Sequence, residues 1–210
     1  MAHNTNANPE RVGAYIDGFN LYHGIRRYGR RYLWLDLEAM ILRILKPGQR
    51  LDAVRYFTAP IRAQPDKQAR QNAYLGALAA HTSVEIVMGR FQERHCLCRA
   101  CGATWRTYEE KETDVSLSVA MMRDAAARRF DRMLLVSGDS DFCAAIRGVR
   151  EVNPQVGVVV VFPPGRRSDV LGRAGHARYF LGLDAVRRAQ LPDEVAGVGG
   201  LVYTRPKRWS

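Results

Sequence analysis

Residues 155–162, QVGVVVVF, form an apolar run made largely of β-branched valines. A strand that is apolar at every position must be covered on both faces, as in parallel sheets with helices on either side. Comparable apolar runs occur at 12–16, 51–59, 84–91 and 132–138. Segments with helical spacing of apolar residues separate them, at 19–28, 35–46, 65–81, 113–130 and 140–152. This alternation predicts an α/β fold around a parallel sheet with right-handed crossovers.

The length of 210 residues suits one ordinary domain with a real core. We expect residues 1–11 to be a disordered lead, because they are polar and lack periodicity. We expect residues 184–210, which are rich in Gly, Pro and Arg, to be a loosely ordered tail. The polar, cysteine-bearing segment 92–110 shows neither the helical nor the strand period of apolar residues, so we expect it to be an insertion.

The formal net charge is +11, which indicates an anionic partner such as nucleic acid or a membrane surface. A GC-rich genome also produces arginine- and alanine-rich proteins with the same excess of positive charge. The net charge alone therefore does not decide whether the partner is anionic. The chain has no run of about 18 apolar residues and begins without the apolar core of a signal peptide. We therefore expect a cytoplasmic protein without a membrane span. Formation of a homo-oligomer is left open.

Four aspartates occur where a parallel sheet would gather them. Asp17 directly follows the first predicted strand, and Asp139 directly follows the strand at 132–138, with Asp141 two residues on. Asp114 lies in the first turn of the helix that leads into that strand. Ligands bind at the carboxyl ends of parallel strands, so we expect these carboxylates to meet there. Each aspartate alone has an ordinary alternative explanation, as a strand-end residue or in a helix first turn.

Carboxylates that converge repel one another unless a cation neutralises them. Oxygen ligands suit Mg²⁺ or Mn²⁺, and such an ion activates water and stabilises the departing oxyanion of a phosphodiester. The sequence has no GxxxxGK[ST] loop, no GxGxxG turn after the first strand, no nucleophile elbow and no HExxH. These patterns favour metal-assisted phosphodiester hydrolysis.

Three motifs, AYIDGFNLYHGI, EEKETDVSLSVAMMRDA and LLVSGDSDFCAAIRGVRE, resemble the NYN domain family, the LabA-like group of PIN-like nucleases. The resemblance covers residues 12–183, with the motifs in family order. It implies a three-layer α/β/α sandwich with a central, mainly parallel sheet and a small cysteine-containing insertion. It also implies an RNA-cleaving site that binds Mg²⁺ or Mn²⁺. By motif position, Asn20 supports substrate or a metal-bound water, and the metal ligands are Asp17, Asp114, Asp139 and Asp141.

The favoured function is a metal-dependent ribonuclease, specifically an endonuclease. Several NYN domains are known mainly as binding or regulatory modules, so a non-catalytic nucleic-acid-binding module is the main alternative. A phosphatase of small phosphoesters is a third.

Three of the four cysteines lie within six residues in HCLCRACG. Cys-x-x-Cys-Gly has the shape of a zinc knuckle, and tetrahedral zinc needs four N or S ligands. The predicted structural zinc site comprises His95, Cys96, Cys98 and Cys101. A reduced, metal-free loop and a site completed by a partner chain are the alternatives.

Basic residues follow the first motif closely and are candidates for a phosphate-binding track. A solvated face is an equally good explanation of them. The candidates for nucleic-acid binding are Arg26, Arg27, Arg30, Arg31 and Lys111.

Overall fold

The computed structural model describes residues 8–210, apart from the side chains of 91–95 and 106–111. Residues 1–7 of the predicted lead lie outside this part. The strands are β1 (Glu10–Asp17), β2 (Gln49–Thr58), β3 (Glu85–Met88), β4 (Arg90–Leu97), β5 (Thr104–Lys111), β6 (Arg132–Val136), β7 (Gly157–Phe162), β8 (Ala177–Phe180), β9 (Glu194–Ala196) and β10 (Val202–Thr204). The α-helices are α1 (Gly18–Arg26), α2 (Leu37–Leu42), α3 (Pro65–His81), α4 (Thr113–Ala126), α5 (Cys143–Val152), α6 (Asp169–Ala174) and α7 (Leu183–Arg187).

Six strands form one parallel sheet in the order β3-β2-β1-β6-β7-β8. The predicted parallel α/β sheet is therefore confirmed. The chain builds outward from β1 in one direction through β2 and β3, and then returns to add β6, β7 and β8 on the other side. The strand order thus reverses between β1 and β6, where ligands of open parallel sheets bind.

Alternate residues of the central strands pack into two separate cores. Val12, Ala14 and Ile16 of β1 point into a core with the apolar faces of α1, α2 and α3. Tyr15 points to the opposite side, into a core built with α4, α5 and α6. Period-two alternation thus covers the sheet on both faces, giving the three-layer α/β/α sandwich.

The C-terminal segment corrects the expectation of a loosely ordered tail. Val186, Leu191, Val195 and Trp209 are each at most 8% exposed and join the core beside α3. Arg205 fixes the segment by donating to the Gln190 side chain (2.8 Å) and to the Arg31 carbonyl oxygen (3.1 Å). The apolar residues are too irregularly spaced to be recognised by periodicity, yet together they cover one edge of the sandwich.

Two other boundaries differ from expectation. β1 begins at Glu10, inside the predicted lead, because the amide of Glu10 donates to the carbonyl oxygen of Gly48 (2.9 Å). The insertion is an antiparallel hairpin of β4 and β5 rather than an irregular loop. No helix within residues 8–210 is long and apolar enough to cross a membrane.

A charged network lies within the core between β1, β2 and α4. Arg55 and Asp124 are each 2% exposed and form an ion pair. The Tyr15 hydroxyl donates to the same Asp124 carboxylate (2.5 Å), and Arg55 Nε donates to Glu85 (2.7 Å). Partnering of this kind is what makes buried charge tolerable.

Candidate active site

Asp17 and Asp139 meet at the reversal of strand order. Asp17 is the last residue of β1, and Asp139 lies three residues beyond the end of β6, the strand paired with β1. Ser137 is fully buried between them and bonds to both residues. Its hydroxyl donates to Asp17 Oδ2 (2.8 Å) and accepts from the Asp139 amide (3.0 Å). Ser137 therefore fixes the two strand ends relative to each other, a role that the sequence did not reveal.

Both aspartates also cap the helical turns that follow them. Asp17 Oδ1 accepts from the Asn20 amide at the start of α1 (3.0 Å). Asp139 Oδ1 accepts from the Asp141 amide, at the start of the short 3-10 turn before α5 (3.0 Å). Asp139 is therefore the N-cap of this turn. Capping accounts for the orientation of these carboxylates, and it leaves oxygen lone pairs available to a cation.

The side chain of Asn20 forms a hydrogen bond across the site. Its side-chain oxygen accepts from the Gly138 amide (3.0 Å), which joins α1 to the loop after β6. A Cβ at Gly138 would lie 3.0 Å from Arg166 Cβ and 3.3 Å from the Asn20 side-chain oxygen. A side chain at Gly138 would therefore crowd both of these neighbours. Asn20 is held beside the acidic edge by its hydrogen bond to the Gly138 amide.

Asp114 faces this pair from the first turn of α4. The helix begins at Thr113, and Glu112 occupies the position before it in the left-handed region (φ 77°). The pKa of Asp114 is raised to about 6, first by loss of solvation and then by the charges of Asp17, Asp139 and Asp141. Burial also raises the pKa of Asp17, opposed by its hydrogen bonds. The four predicted acids therefore share one electrostatic environment.

The donor set fits a hydrated Mg²⁺ or Mn²⁺ ion. It consists of carboxylate, hydroxyl and amide oxygens, which are hard ligands. Within the described residues, no three side chains of His, Cys, Asp or Glu lie close enough together to hold one ion directly. Mg²⁺ commonly binds through one or two carboxylates and keeps several waters, so two of these carboxylates would suffice to hold it. Asp17 and Asp139 are best placed as direct ligands.

The raised pKa of Asp114 predicts a pH-dependent instability in the absence of metal. Its folded-state pKa of about 6 exceeds the ordinary value of 3.8, so the folded state holds the proton more tightly. Stability is therefore lost as pH rises from about 4 to about 6. In chelator, Asp114→Asn should melt above wild type near pH 7 and close to wild type near pH 4. A melting-temperature difference that is constant with pH would contradict this account.

A basic rim adjoins the acids. His23, Arg26, Arg27 and Arg166 line a cavity of about 350 Å³, and Arg27 donates to the Gly165 carbonyl oxygen (3.2 Å). The pKa of His23 is lowered by loss of solvation and by the charges of Arg166 and Arg26. Arg166 follows β7 and was not predicted, because only the fold brings it to α1. The acidic edge is thus flanked by positive potential, which attracts phosphates.

The other predicted basic residues take different positions. Arg30 lines a larger neighbouring cavity together with Arg26, and Arg31 lies over the Tyr32 ring, 4.9 Å from its centroid. The side chain of Lys111 lies outside the described residues.

The predicted zinc knuckle forms the tip of the β4–β5 hairpin. The amides of Cys101 and Ala100 and the Cys101 side chain bond to the Cys98 thiol and lower its pKa. Cys98 also donates its amide to Ala103 (2.8 Å), which closes the turn. Cys98 and Cys101 thus lie together at this turn, with Cys96 on the strand before them, and within the described residues the three cysteines do not form a three-ligand metal group. The side chain of His95 lies outside the described residues.

The NYN domain model matches residues 11–182, most of the chain. The chain belongs to the NYN domain family. The NYN family is part of the PIN-like nuclease superfamily, as the motifs predicted.

Two relatives extend the comparison. One is a 6-hydroxy-3-succinoylpyridine 3-monooxygenase of Pseudomonas putida, which is 26% identical over an alignment of 249 positions. The alignment covers 100% of this chain and 78% of the relative. The other is a crystal structure of a protein of unknown function from Vibrio parahaemolyticus, 17% identical with a TM-score of 0.53. That match covers 88% of this chain and 98% of the other and supports the fold alone.

Proposed function

We propose that this NYN protein is a metal-dependent ribonuclease that cleaves RNA internally at the acidic edge. The observation that carries the proposal is the placement of Asp17 and Asp139 at the reversal of strand order, fixed through Ser137. Asp114 and Asp141 add negative charge there, and the basic rim beside them is suited to phosphate. Family membership supports nuclease chemistry in the same place.

The position of each residue in the site suggests its role in cleavage. A divalent ion bound at the acids would activate water and stabilise the leaving oxyanion. Asp17 and Asp139 would hold the ion from rigid strand ends, and Asp114, which faces them from the first turn of α4, would accept a proton from the attacking water. Asn20 orients the adjoining loop through Gly138. Arg26, Arg27 and Arg166 bind the phosphates on either side of the cleaved bond.

The direct test uses labelled single-stranded RNA, blocked at both ends, with Mn²⁺, Mg²⁺ or chelator. A ribonuclease of this kind yields internal fragments with either metal and none with chelator. Asp17→Asn, prepared identically, controls for contaminating nuclease. Binding without fragments would instead support the non-catalytic alternative, and turnover of mononucleotides alone would support a phosphatase.

RNA affinity should fall steeply with salt, because the basic rim binds phosphates by releasing counterions. The double variant Arg26→Gln/Arg27→Gln should bind more weakly, and its slope of log affinity against log salt should be shallower by about one per arginine. Arg147→Gln, an exposed charge on α5, is the matched control and should leave the slope unchanged. An unchanged slope in the double variant would place RNA on another surface.

We also propose that the hairpin carries one structural zinc on Cys98 and Cys101, with Cys96 and His95 joining them when the ion binds, because the described cysteines do not already surround one position. All four cysteines of the chain are free thiols, as the reducing cytoplasm would keep them. Metal analysis of protein purified without chelator should find about one zinc per chain. Cys98→Ser should lose the zinc and lower solubility or stability, yet cleave RNA at the wild-type rate when folded. Protein without zinc would refute the proposal.

A second candidate, hydroxylation of a small heteroaromatic acid, is favoured by the P. putida relative and by an aromatic-lined cavity beside α1. A monooxygenase consumes O₂ and a reduced cofactor for each hydroxyl formed. Oxygen uptake with 6-hydroxy-3-succinoylpyridine and reduced nicotinamide or flavin would test this. Uptake that depends on the pyridine would favour this candidate over the nuclease.

A further inference from the structure

A second cavity, which we call the aromatic cavity, lies beside the acidic site. It has a volume of about 550 Å³ and is bounded by α1, the end of β2, the start of α3 and the C-terminal turn Lys207–Trp209. Gly18, which directly follows Asp17, lines it, and the side chains of His23 and Arg26 line both this cavity and the basic rim. A ligand here would therefore lie beside the end of β1, which carries Asp17. The volume is typical of small-molecule sites.

The floor of the aromatic cavity is made of fixed rings. Tyr56, Tyr74 and Trp209 are each 8% exposed. The Tyr74 ring centroid lies 6.3 Å from that of Tyr56 and 6.1 Å from that of Trp209. The Tyr74 hydroxyl donates to the Leu35 carbonyl oxygen (2.8 Å), so this ring is held in place. Tyr22 adds a 36%-exposed ring at the mouth. Such surfaces favour a planar aromatic ligand.

The rim of the aromatic cavity carries charge of a single sign. Its basic lining residues are Arg26, Arg30, Arg62, Lys67, Arg70 and Arg208. No carboxylate is among the described residues that line it, and none of these six cations forms an ion pair within the described part of the chain. Positive charge that the fold leaves uncompensated around a concave, low-dielectric surface focuses an attractive field on anions.

We propose that the aromatic cavity binds one nucleotide, with the base against the floor and the phosphate at the rim. This rests on the proposed ribonuclease function in that the nucleotide belongs to the RNA strand next to the cleaved bond. Rings alone would suit any apolar ligand, and cations alone would suit any anion. Their combination beside the acidic edge selects a ligand with both groups.

Calorimetric titration in chelator and at low salt tests this with three probes: uridine 5′-monophosphate, uridine and inorganic phosphate. The monophosphate should bind more tightly than either fragment. Arg70→Gln/Arg208→Gln should weaken its binding about tenfold, and Tyr22→Ala should do so by about the same factor through lost stacking. Arg147→Gln should not change it. Absence of monophosphate binding, equal binding of phosphate alone, or full affinity in both rim and ring variants would overturn the proposal.

The two proposals fail independently. Nucleotide binding is measured without metal and in the cleavage-deficient Asp139→Asn protein, so it does not depend on catalysis. In the cleavage assay, Arg70→Gln/Arg208→Gln should raise KM with kcat unchanged, because both residues lie away from the acids. A loss confined to kcat would contradict a binding role for the cavity. Wild-type protein that binds the monophosphate but never cuts RNA would refute only the nuclease.

Discussion

Replacing Asp139 with asparagine is expected to reduce metal-dependent RNA cleavage by about a hundredfold or more, because it removes a charge that the divalent ion requires. Asparagine is isosteric and is an equally good N-cap, so its side-chain oxygen still accepts from the Asp141 amide. The melting temperature should stay level or rise, because repulsion with Asp17 and Asp114 is relieved. RNA binding without metal should persist, since arginines supply it.

Cleavage and melting temperature are measured on the same preparation of the Asp139→Asn protein. Asp169→Asn is the matched control, because it makes the same change in an exposed first turn, beside Arg167. It should cut RNA at the wild-type rate. A folded Asp139→Asn protein with wild-type activity would exclude chemistry at this edge. A fall of several degrees in melting temperature with proportionate activity loss would assign Asp139 a purely structural role.

Replacing Asp124 with alanine is expected to destabilise the fold by about 3–5 kcal/mol. The change leaves the buried Arg55 guanidinium without its principal counter-charge and the Tyr15 hydroxyl without an acceptor. For a domain of this size, that corresponds to a fall in melting temperature of about 6–20 °C.

Two comparisons separate the buried charge from the ion pair itself. Glu85→Gln changes the half of the network that is 56% exposed and should cost less than about 1 kcal/mol. The double variant Arg55→Met/Asp124→Leu should recover most of the stability, because no charge is left unpaired. If Asp124→Ala is no worse than Glu85→Gln in thermal melting, the network is not a stabilising feature of the core.

The central architecture could be predicted because its signals are local. Each central strand is an apolar run. Asp17 ends one of them and Asp139 lies three residues beyond another, so the parallel sheet alone brings their backbones to one edge. Asp114 could be placed at the same edge because its helix leads into β6.

Other parts of the site depend on contacts that only the folded chain makes. In the sequence, Ser137 is simply the end of a predicted strand. In the structure, its hydroxyl bridges Asp17 and Asp139. Arg166 lies more than 130 residues from Arg27, with which it lines the basic rim. The spacing of these residues along the chain does not predict such contacts.

The peripheral elements were missed for a different reason. β8 is exposed at all of its positions, so it carries no apolar period. Trp209 lies among Arg, Lys and Pro near the end of the chain, yet it packs against Trp34 and Tyr74, with ring centroids 6.4 and 6.1 Å apart. The burial of a single large ring fixes the position of such a segment, and neither the helical nor the strand period of apolar residues can reveal it.

The most direct test of a metal-dependent acidic site is the position of a bound manganese ion. A crystal grown with Mn²⁺ and a non-hydrolysable RNA oligonucleotide would locate the ion by anomalous scattering. We predict one ion within coordination distance of Asp17 and Asp139, with a backbone phosphate of the RNA on its open side. An RNA backbone that binds elsewhere while no ion occupies the acidic edge would contradict the account.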